Sequence, residues 1–196
     1  FHKLGTSQKT DQVIFGNNEK RRYVGGGITE DGRYLIISAA NSTSGNELYI
    51  KDMKNPKSKI IPIVDNFNNN SSVIHNIGSK LYILTNLNAP NQRIVTVDAA
   101  NPAPNNWKDF IKETENVLSP TTGGGYLFAH YLKDAISQVK QYDFEGKLLR
   151  DVKLPGLGSA GGFSAKQKET TLYYSFTNYV TPGTIYSYDP KTGVST

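Results

Sequence analysis

Few side chains in this chain have the type and spacing that chemistry requires. The three histidines are His2, His75 and His130. No two of them have metal-ligand spacing, and His75 and His130 lie on or beside strand-like runs, so structural roles are expected. A serine nucleophile on a strand-to-helix turn needs G-x-S-x-G. The nearest stretch, Gly162-Phe163-Ser164-Ala165-Lys166, fails at its last position. Gly156-Leu157-Gly158-Ser159-Ala160-Gly161 fits the dinucleotide pattern G-x-G-x-x-G. That pattern binds a pyrophosphate only when a helix N-terminus comes next, and here the β-rich Thr171 to Phe176 does. It reads as a glycine-rich connection. Asp65 to Asn70 is rich in calcium-type oxygens but lacks the glycine and the bidentate glutamate of an EF-hand loop. With zero cysteines, disulfides, thiolate metal sites and a cysteine nucleophile are excluded.

Aspartates remain, and four of them recur. Asp52, Asp98, Asp143 and Asp189 each close a strand-like run and are spaced 46, 45 and 46 apart. A second marker keeps nearly the same period. The apolar runs beginning at Tyr34, Leu81, Tyr126 and Leu172 are spaced 47, 45 and 46 apart. Two independent markers on one period define a repeat protein. Turn formers come after each aspartate: Asn55-Pro56, Asn101-Pro102, Glu145-Gly146 and Pro190-Lys191-Thr192-Gly193. An Asp at the first turn position accepts hydrogen bonds from amides two residues on, so the recurrence needs no catalytic explanation. Equivalent turn positions would scatter these carboxylates around a ring rather than gather them for acid/base work.

The elements that carry these markers are strands. A glycine-rich or polar stretch opens each unit: Gly25-Gly26-Gly27, Asn76-Ile77-Gly78, Gly123-Gly124-Gly125 and Gly161-Gly162-Phe163. Tight packing near an axis would favour such residues. The marker run, the aspartate run and a more polar last strand come next. Those last strands are Lys59 to Val64, Trp107 to Ile111 and Lys147 to Val152. Four antiparallel strands in about 46 residues is the size of one β-propeller blade. The expected fold is all-β: a partial β-propeller of about four four-stranded antiparallel blades, in one domain over 1–196. Residues 1–16 end a preceding blade, with Phe1 to Leu4 and Gln12 to Phe15 as its last two strands. Successive blades occupy 17–65, 66–113, 114–154 and 155–196, the last incomplete. Helical periodicity is weak; Asn105 to Asn116 is the one place for a short helix. A closed propeller of four or five blades is the competing arrangement, but half a blade plus almost four does not close neatly. An internal fragment is therefore expected.

Composition sets outer bounds. Apolar residues are 37% and charged residues 20% of the 196, enough for a core and too little charge for a disordered chain. Lys plus Arg exceed Asp plus Glu by 22 − 17 = 5. Lys20-Arg21-Arg22, beside Tyr23, is the one tight basic run, read as a solvated turn between blades rather than a nucleic-acid patch. No run of apolar residues is long enough to span a bilayer. Three sequons, at Asn41, Asn69 and Asn70, matter only in a eukaryotic secretory setting.

Several stretches together resemble the propeller domain of the prolyl oligopeptidase family, serine peptidases that cleave short peptides after proline. They are His2-Lys3-Leu4-Gly5-Thr6, Gly25-Gly26-Gly27-Ile28-Thr29-Glu30-Asp31-Gly32-Arg33-Tyr34, Val64-Asp65-Asn66-Phe67, and Phe176-Thr177-Asn178-Tyr179-Val180-Thr181-Pro182-Gly183-Thr184-Ile185-Tyr186. The resemblance runs the length of the chain and is strongest to bacterial members. It implies a seven-bladed propeller capping an α/β-hydrolase domain of the same parent chain. The Ser, Asp and His triad lies on the hydrolase part, so no catalytic residue is expected here. It also implies that the propeller gates access for peptide substrate. Val24 matches a position where relatives place an apolar side chain near bound peptide. Thr43 falls near where some relatives carry a cysteine at the same cavity, so thiol sensitivity tied to that cysteine would be lost. No metal, cofactor, nucleic acid or membrane is implied, and the compartment is bacterial periplasm or cytoplasm. The alternative from another class is a stand-alone β-propeller binding module for a protein or glycan partner; a propeller glycosidase would need carboxylates clustered at the axis. An open ring leaves apolar blade faces bare, at roughly 25 cal/mol for each Å² uncovered. Self-association is the expected outcome in light scattering, and a clean monomer would count against an open ring.

Overall fold

The computed structural model describes residues 1–17 and 20–196; Asn18 and Glu19, within the segment expected as the first full blade, lie outside the described residues. Among the described residues, sixteen strands form four separate four-stranded antiparallel sheets. The first sheet holds β1 (Tyr23–Ile28), β2 (Tyr34–Ala40), β3 (Glu47–Asp52) and β4 (Ile61–Val64). The second holds β5 (Ser71–Ile77), β6 (Lys80–Thr85), β7 (Arg93–Asp98) and β8 (Lys108–Ile111). The third is β9 (Ser119–Gly123), β10 (Tyr126–Lys133), β11 (Ile136–Tyr142) and β12 (Leu148–Asp151). The fourth is β13 (Ser159–Gly162), β14 (Leu172–Thr177), β15 (Thr184–Asp189) and a two-residue β16 (Val194–Ser195). Each sheet runs in chain order, so every connection is an up-and-down hairpin and every blade has its first strand at an edge.

The four aspartates behave as turn chemistry demands. Asp52 Oδ1 accepts from the Lys54 amide at 2.9 Å, Asp98 from Ala100 at 2.8 Å, Asp143 from Glu145 at 3.1 Å and Asp189 from Lys191 at 2.8 Å. Ser79 Oγ also donates to Asp98 at 2.7 Å. That bond, with the Ala100 amide, holds the Asp98 carboxyl below its ordinary value. The residue after three of the four aspartates turns inward. Ala99, Phe144 and Pro190 are buried, each in a sheet that has another described sheet before it. Met53, after Asp52 in the first sheet, is 46% exposed.

Apolar side chains fill three sheet-to-sheet seams. Tyr34, Leu48, Ile50 and Ile63 meet Leu81, Ile83, Val95 and Val97 between the first two sheets. Tyr82, Ile94 and Ile111 meet Leu127, Ala129 and Phe144 at the next. Phe128 and Val139 meet Phe163, Tyr174, Phe176 and Tyr188 at the third. At each, fully burying a residue of this size stabilises by about 1.5–3 kcal/mol. Buried polar bonds run across the same seams. Tyr82 donates to the Phe144 carbonyl at 2.7 Å. Gln141 Nε2 donates to the Pro190 carbonyl at 2.7 Å while its Oε1 accepts from Tyr188 at 2.7 Å. In both cases the carbonyl belongs to the residue just after the turn aspartate of the next blade.

Several sequence expectations need correction. Phe1 to Leu4 and Gln12 to Phe15 are not strands. One reciprocal backbone pair joins Phe1 and Gln12. Between them, Ser7 caps a 3-10 turn at Gln8–Thr10 and Thr6 and Thr10 hydroxyls bond to local carbonyls. Such local bonds compete with a ladder. The segment from Asn105 to Asn116 forms no α-helix; a 3-10 turn at Pro104–Asn106 leads straight into β8. The glycine runs are not equivalent. Gly25-Gly26-Gly27 lies inside β1, whereas Gly78 and Gly124-Gly125 make hairpin turns with φ of 57°, 61° and 85°. Arg21 is not solvated. Its guanidinium forms a paired ion bridge to Glu47 at 2.7 and 2.9 Å and lies over the Phe67 ring. Glu47 is 4% exposed, so the bridge satisfies a carboxylate that burial would otherwise penalise.

Gln141→Leu removes a buried amide that serves two partners, taking the donor from the Pro190 carbonyl and the acceptor from the Tyr188 hydroxyl. A loss of about 2–4 kcal/mol is expected in urea unfolding, on the scale of one to two orphaned buried polar groups. A change within error would mean that water replaces the amide and the seam bond is dispensable.

Candidate functional site

The inner, first strands of the sheets frame a cavity of about 390 Å³. Its wall is Gly25 to Glu30, with Ile36 and Ser38 of β2, Val73 to Asn76 of β5, and Thr122 of β9. The register explains the space. Gly25 pairs with Ser38 and Gly27 with Ile36, so side chains at 25 and 27 would stand on the same sheet face as Ile36 and Ser38. A Cβ built at either glycine meets nothing within 4 Å. Side chains at these positions would project into open space, and these glycines are not there for tight packing. Close approach operates elsewhere. At Gly123 a Cβ would lie 2.7 Å from the Ala165 nitrogen, and at Gly158 it would lie 2.4 Å from the Thr177 carbonyl oxygen. Gly158 belongs to the G-x-G-x-x-G stretch, which leads into β13 and starts no helix.

One end of this cavity is narrowed by a contact between distant blades. The segment after β13 docks on the β9–β10 turn, with Ala165 N donating to the Thr122 carbonyl and Gly124 N to the Lys166 carbonyl, each at 3.1 Å. From there the Gln167 amide donates to Glu30 Oε1 at 2.8 Å, joining the fourth sheet to the β1–β2 turn of the first. Beside it, Asp31 accepts from Asn76 Nδ2 at 2.9 Å, Thr29 Oγ1 at 2.7 Å and the Arg33 amide at 3.0 Å. His75 on the wall stacks on Phe144 with centroids 4.4 Å apart, and burial lowers its pKa.

Val24 and Thr43 lie toward the opposite end. Val24 is half exposed on β1 opposite Ala39, in a shallow hollow with Arg22, Tyr23, Ser38 and Ala40. Thr43 is exposed in the loop leaving β2, two residues from Asn41, whose side chain accepts from the Arg22 amide at 3.2 Å. Antiparallel pairing puts that loop at the Val24 end of β1 and Glu30 at the other. Sequence reasoning missed Glu30, Asn76, His75 as a wall residue and Gln167. Only the Glu30-Asp31-Gly32 turn carried a local signal, and Gln167 reaches the site through a contact 137 residues away in sequence.

The geometry holds no nucleophilic triad among the described residues. Ser164 has no histidine partner; His130 bonds Thr121 Oγ1 at 3.1 Å, and His2 pairs with Asp11 at 2.6 Å on the exposed hairpin. The turn aspartates are not gathered together, and no group of three His, Asp or Glu among the described residues is placed to hold a metal ion. No helix among them is long and apolar enough to cross a membrane.

Sheets radiating from edge strands around a shared hollow define a β-propeller segment, and similarity to known proteins gives its family. The model of the prolyl oligopeptidase N-terminal β-propeller domain matches residues 1–196, and the chain belongs to that family. It is 54% identical over 196 residues to the prolyl endopeptidase of Elizabethkingia meningoseptica, covering 100% of this chain and 28% of that one. It is 30% identical over 198 residues to the dual function macrocyclase-peptidase POPB of Galerina marginata, covering 96% and 27%. A solved structure from a study of two prolyl endopeptidases, concerned with inter-domain dynamics in catalysis and specificity, aligns with a TM-score of 0.87 at 32% identity. It covers 100% of this chain and 29% of its own. Prolyl oligopeptidase B from G. marginata, bound to a 35mer hydrolysis and macrocyclization substrate, aligns with a TM-score of 0.84 at 28% identity, covering 97% and 27%. The chain thus spans less than a third of the length of the curated relatives it matches.

His130 is the strongest titrating reporter of this packing. Burial lowers its pKa from an ordinary 6.5 to about 4. The unfolded chain takes up the proton first, so the stability that His130 lends is complete above about pH 6.5 and declines as pH falls toward 4. The melting temperature should fall across that window and fall less steeply in His130→Gln. Parallel pH profiles for both proteins would remove His130 from this role.

Proposed function

We propose that this chain is the substrate-selecting propeller of a serine peptidase that cleaves short peptides after proline, and that catalysis belongs to an α/β-hydrolase part of the same parent chain. The observation that carries the reading is the cavity on the inner strands, open along bare glycine backbone and narrowed at one end by the Glu30–Gln167 bond. A constriction of this kind selects by size and needs no reacting group of its own, in keeping with the lack of a triad among the described residues. Val24 and Thr43, at the other end of β1, face the substrate cavity shared with the hydrolase part. An apolar valine contributes wall area to a bound peptide, and a threonine where some relatives place cysteine leaves no thiol there to modify. The name of the E. meningoseptica relative and the peptide-bound G. marginata structures support peptide as the substrate class.

The narrowed end supplies the test. In the parent protein, Glu30→Cys with Gln167→Cys, joined by a bifunctional thiol reagent with a reducible linker, places a removable cross-link across the constriction in a segment that has no other cysteine. Cross-linking should slow hydrolysis of longer proline-containing peptides by roughly tenfold or more, as expected when opening becomes limiting, with recovery on reduction. Equal rates before and after the cross-link at every peptide length would sink the gating role. The 196-residue chain alone should leave a proline-containing chromogenic peptide uncut, and measurable cleavage would refute catalysis elsewhere in the parent.

A further inference from the structure

We propose that the free edge of β1 is a docking rail on which an extended peptide adds as one more strand, bonded through main-chain groups at Val24, Gly26 and Ile28. The inference rests on peptide being what this cavity receives.

The backbone pattern identifies which groups are free. Thr29 N donates to the Tyr34 carbonyl at 2.9 Å, so the 29–34 pair is a hydrogen-bonded one. Hydrogen-bonded and non-hydrogen-bonded pairs alternate along an antiparallel ladder. With the register Gly27 to Ile36 and Gly25 to Ser38, residues 23, 25 and 27 direct their amides and carbonyls to β2. Val24, Gly26 and Ile28 direct theirs away from it. A second chain of bonds agrees: Met53 N donates to the Arg33 carbonyl, which places the odd residues of β2 on β3 and leaves its even residues for β1.

The other inner strands are guarded, and β1 is not. Exposed strand edges are ordinarily blunted by a bulge, a proline, a charge or extreme shortness. β5 has a register irregularity between Val73 and His75. β9 contains Pro120, and β13 is four residues long and ends at Gly162 with φ of 131°. β1 is six residues, Tyr-Val-Gly-Gly-Gly-Ile, uncharged, straight in register and exposed throughout. Glycine inside a strand weakens it and marks places where another backbone comes close. Three in succession beside an open cavity fit an incoming strand. Its side chains on the 25/27 face drop into the gap floored by Ile36 and Val73. Recognition through main-chain bonds tolerates many sequences, and it depends on the length and extension of the peptide.

The probe is a proline-containing peptide long enough to span β1, with its binding to a catalytically inactivated parent protein read by fluorescence anisotropy. A set of analogues carries a single N-methyl group moved one residue at a time. Strand addition predicts a period of two: methylation at one parity weakens binding roughly tenfold, through a lost main-chain bond, and the other parity leaves it unchanged. Gly26→Pro removes the central outward amide without touching the β2 ladder. It should weaken the unmodified peptide by a similar factor with an unchanged circular dichroism spectrum. The methylation pattern decides alone if that variant fails to fold, because it leaves the protein unaltered. Loss at every position, loss at none, or no binding of the peptide overturns the rail. So does a sedimentation result in which the edge pairs with a second copy of the chain and the peptide does not compete. Alternation without proline-directed cleavage by the parent would instead retire the peptidase reading and leave the rail standing.

Discussion

One turn, made again at each recurrent aspartate, holds the blades in place. The carboxylate accepts the amide two residues on, which bends the chain sharply and commits the intervening residue to one direction. That direction is the seam with the preceding blade. Ala99, Phe144 and Pro190 are all buried there, and two of their carbonyls are gripped by donors from the neighbouring sheet, Tyr82 and Gln141. One local turn therefore positions a packing residue and an acceptor together. Four sheets that share no strand are held as a unit by this contact and by the apolar seams around it. Met53 shows the same turn without a described partner: the carboxylate still caps, and the next side chain stands in solvent.

This division explains how β1 is released from structural duty. The seams draw on the second and third strands of each blade, where Tyr34, Leu48, Leu81, Val95, Leu127, Val139, Leu172 and Tyr188 are buried. β1 contributes no buried side chain. A strand that carries no core residue can be glycine at three successive positions with a small penalty, and its face becomes cavity. The opposite arrangement, bulky residues on the inner strand, would fill the hollow and gain little, because the seam lies further out.

Legibility in the sequence tracks the range of the interactions. The period, the blade count and the turn role of Asp52, Asp98, Asp143 and Asp189 are readable because each is set by residues within a few positions. The glycine runs look alike as letters and differ in the fold, since a glycine needed for φ > 0 at Gly124 and one that leaves space at Gly25 are written the same way. Arg21 reads as solvated because its partner Glu47 lies 26 residues on, beyond any local pattern. The 1–15 hairpin has strand-like composition, and its Ser and Thr hydroxyls satisfy backbone groups locally instead. Val24 and Thr43, proposed as lining the substrate cavity, come through family resemblance alone. Glu30 and Gln167 are invisible because a contact across the arc of blades has no sequence signature.

The two ends of β1 thus differ in kind. At Glu30 the strand ends in a turn fixed by Thr29, Asp31, Asn76 and the Gln167 amide, a web of bonds from three sheets that holds its width. At Val24 it ends in a half-exposed valine, with a loop whose Thr43 is in solvent. A channel with one rim tied and one rim open is directional by construction. A chain entering from the tied rim meets a carboxylate and a backbone amide already bonded to each other, and it must break that bond to widen the opening. One approaching from the open rim meets apolar surface and unpaired backbone. In the proposed gate the cost of passage falls at Glu30, and on the proposed rail the gain on arrival is spread along β1. The two ends would then act in turn, size being tested where the bond must open and an extended backbone being held where main-chain groups are free.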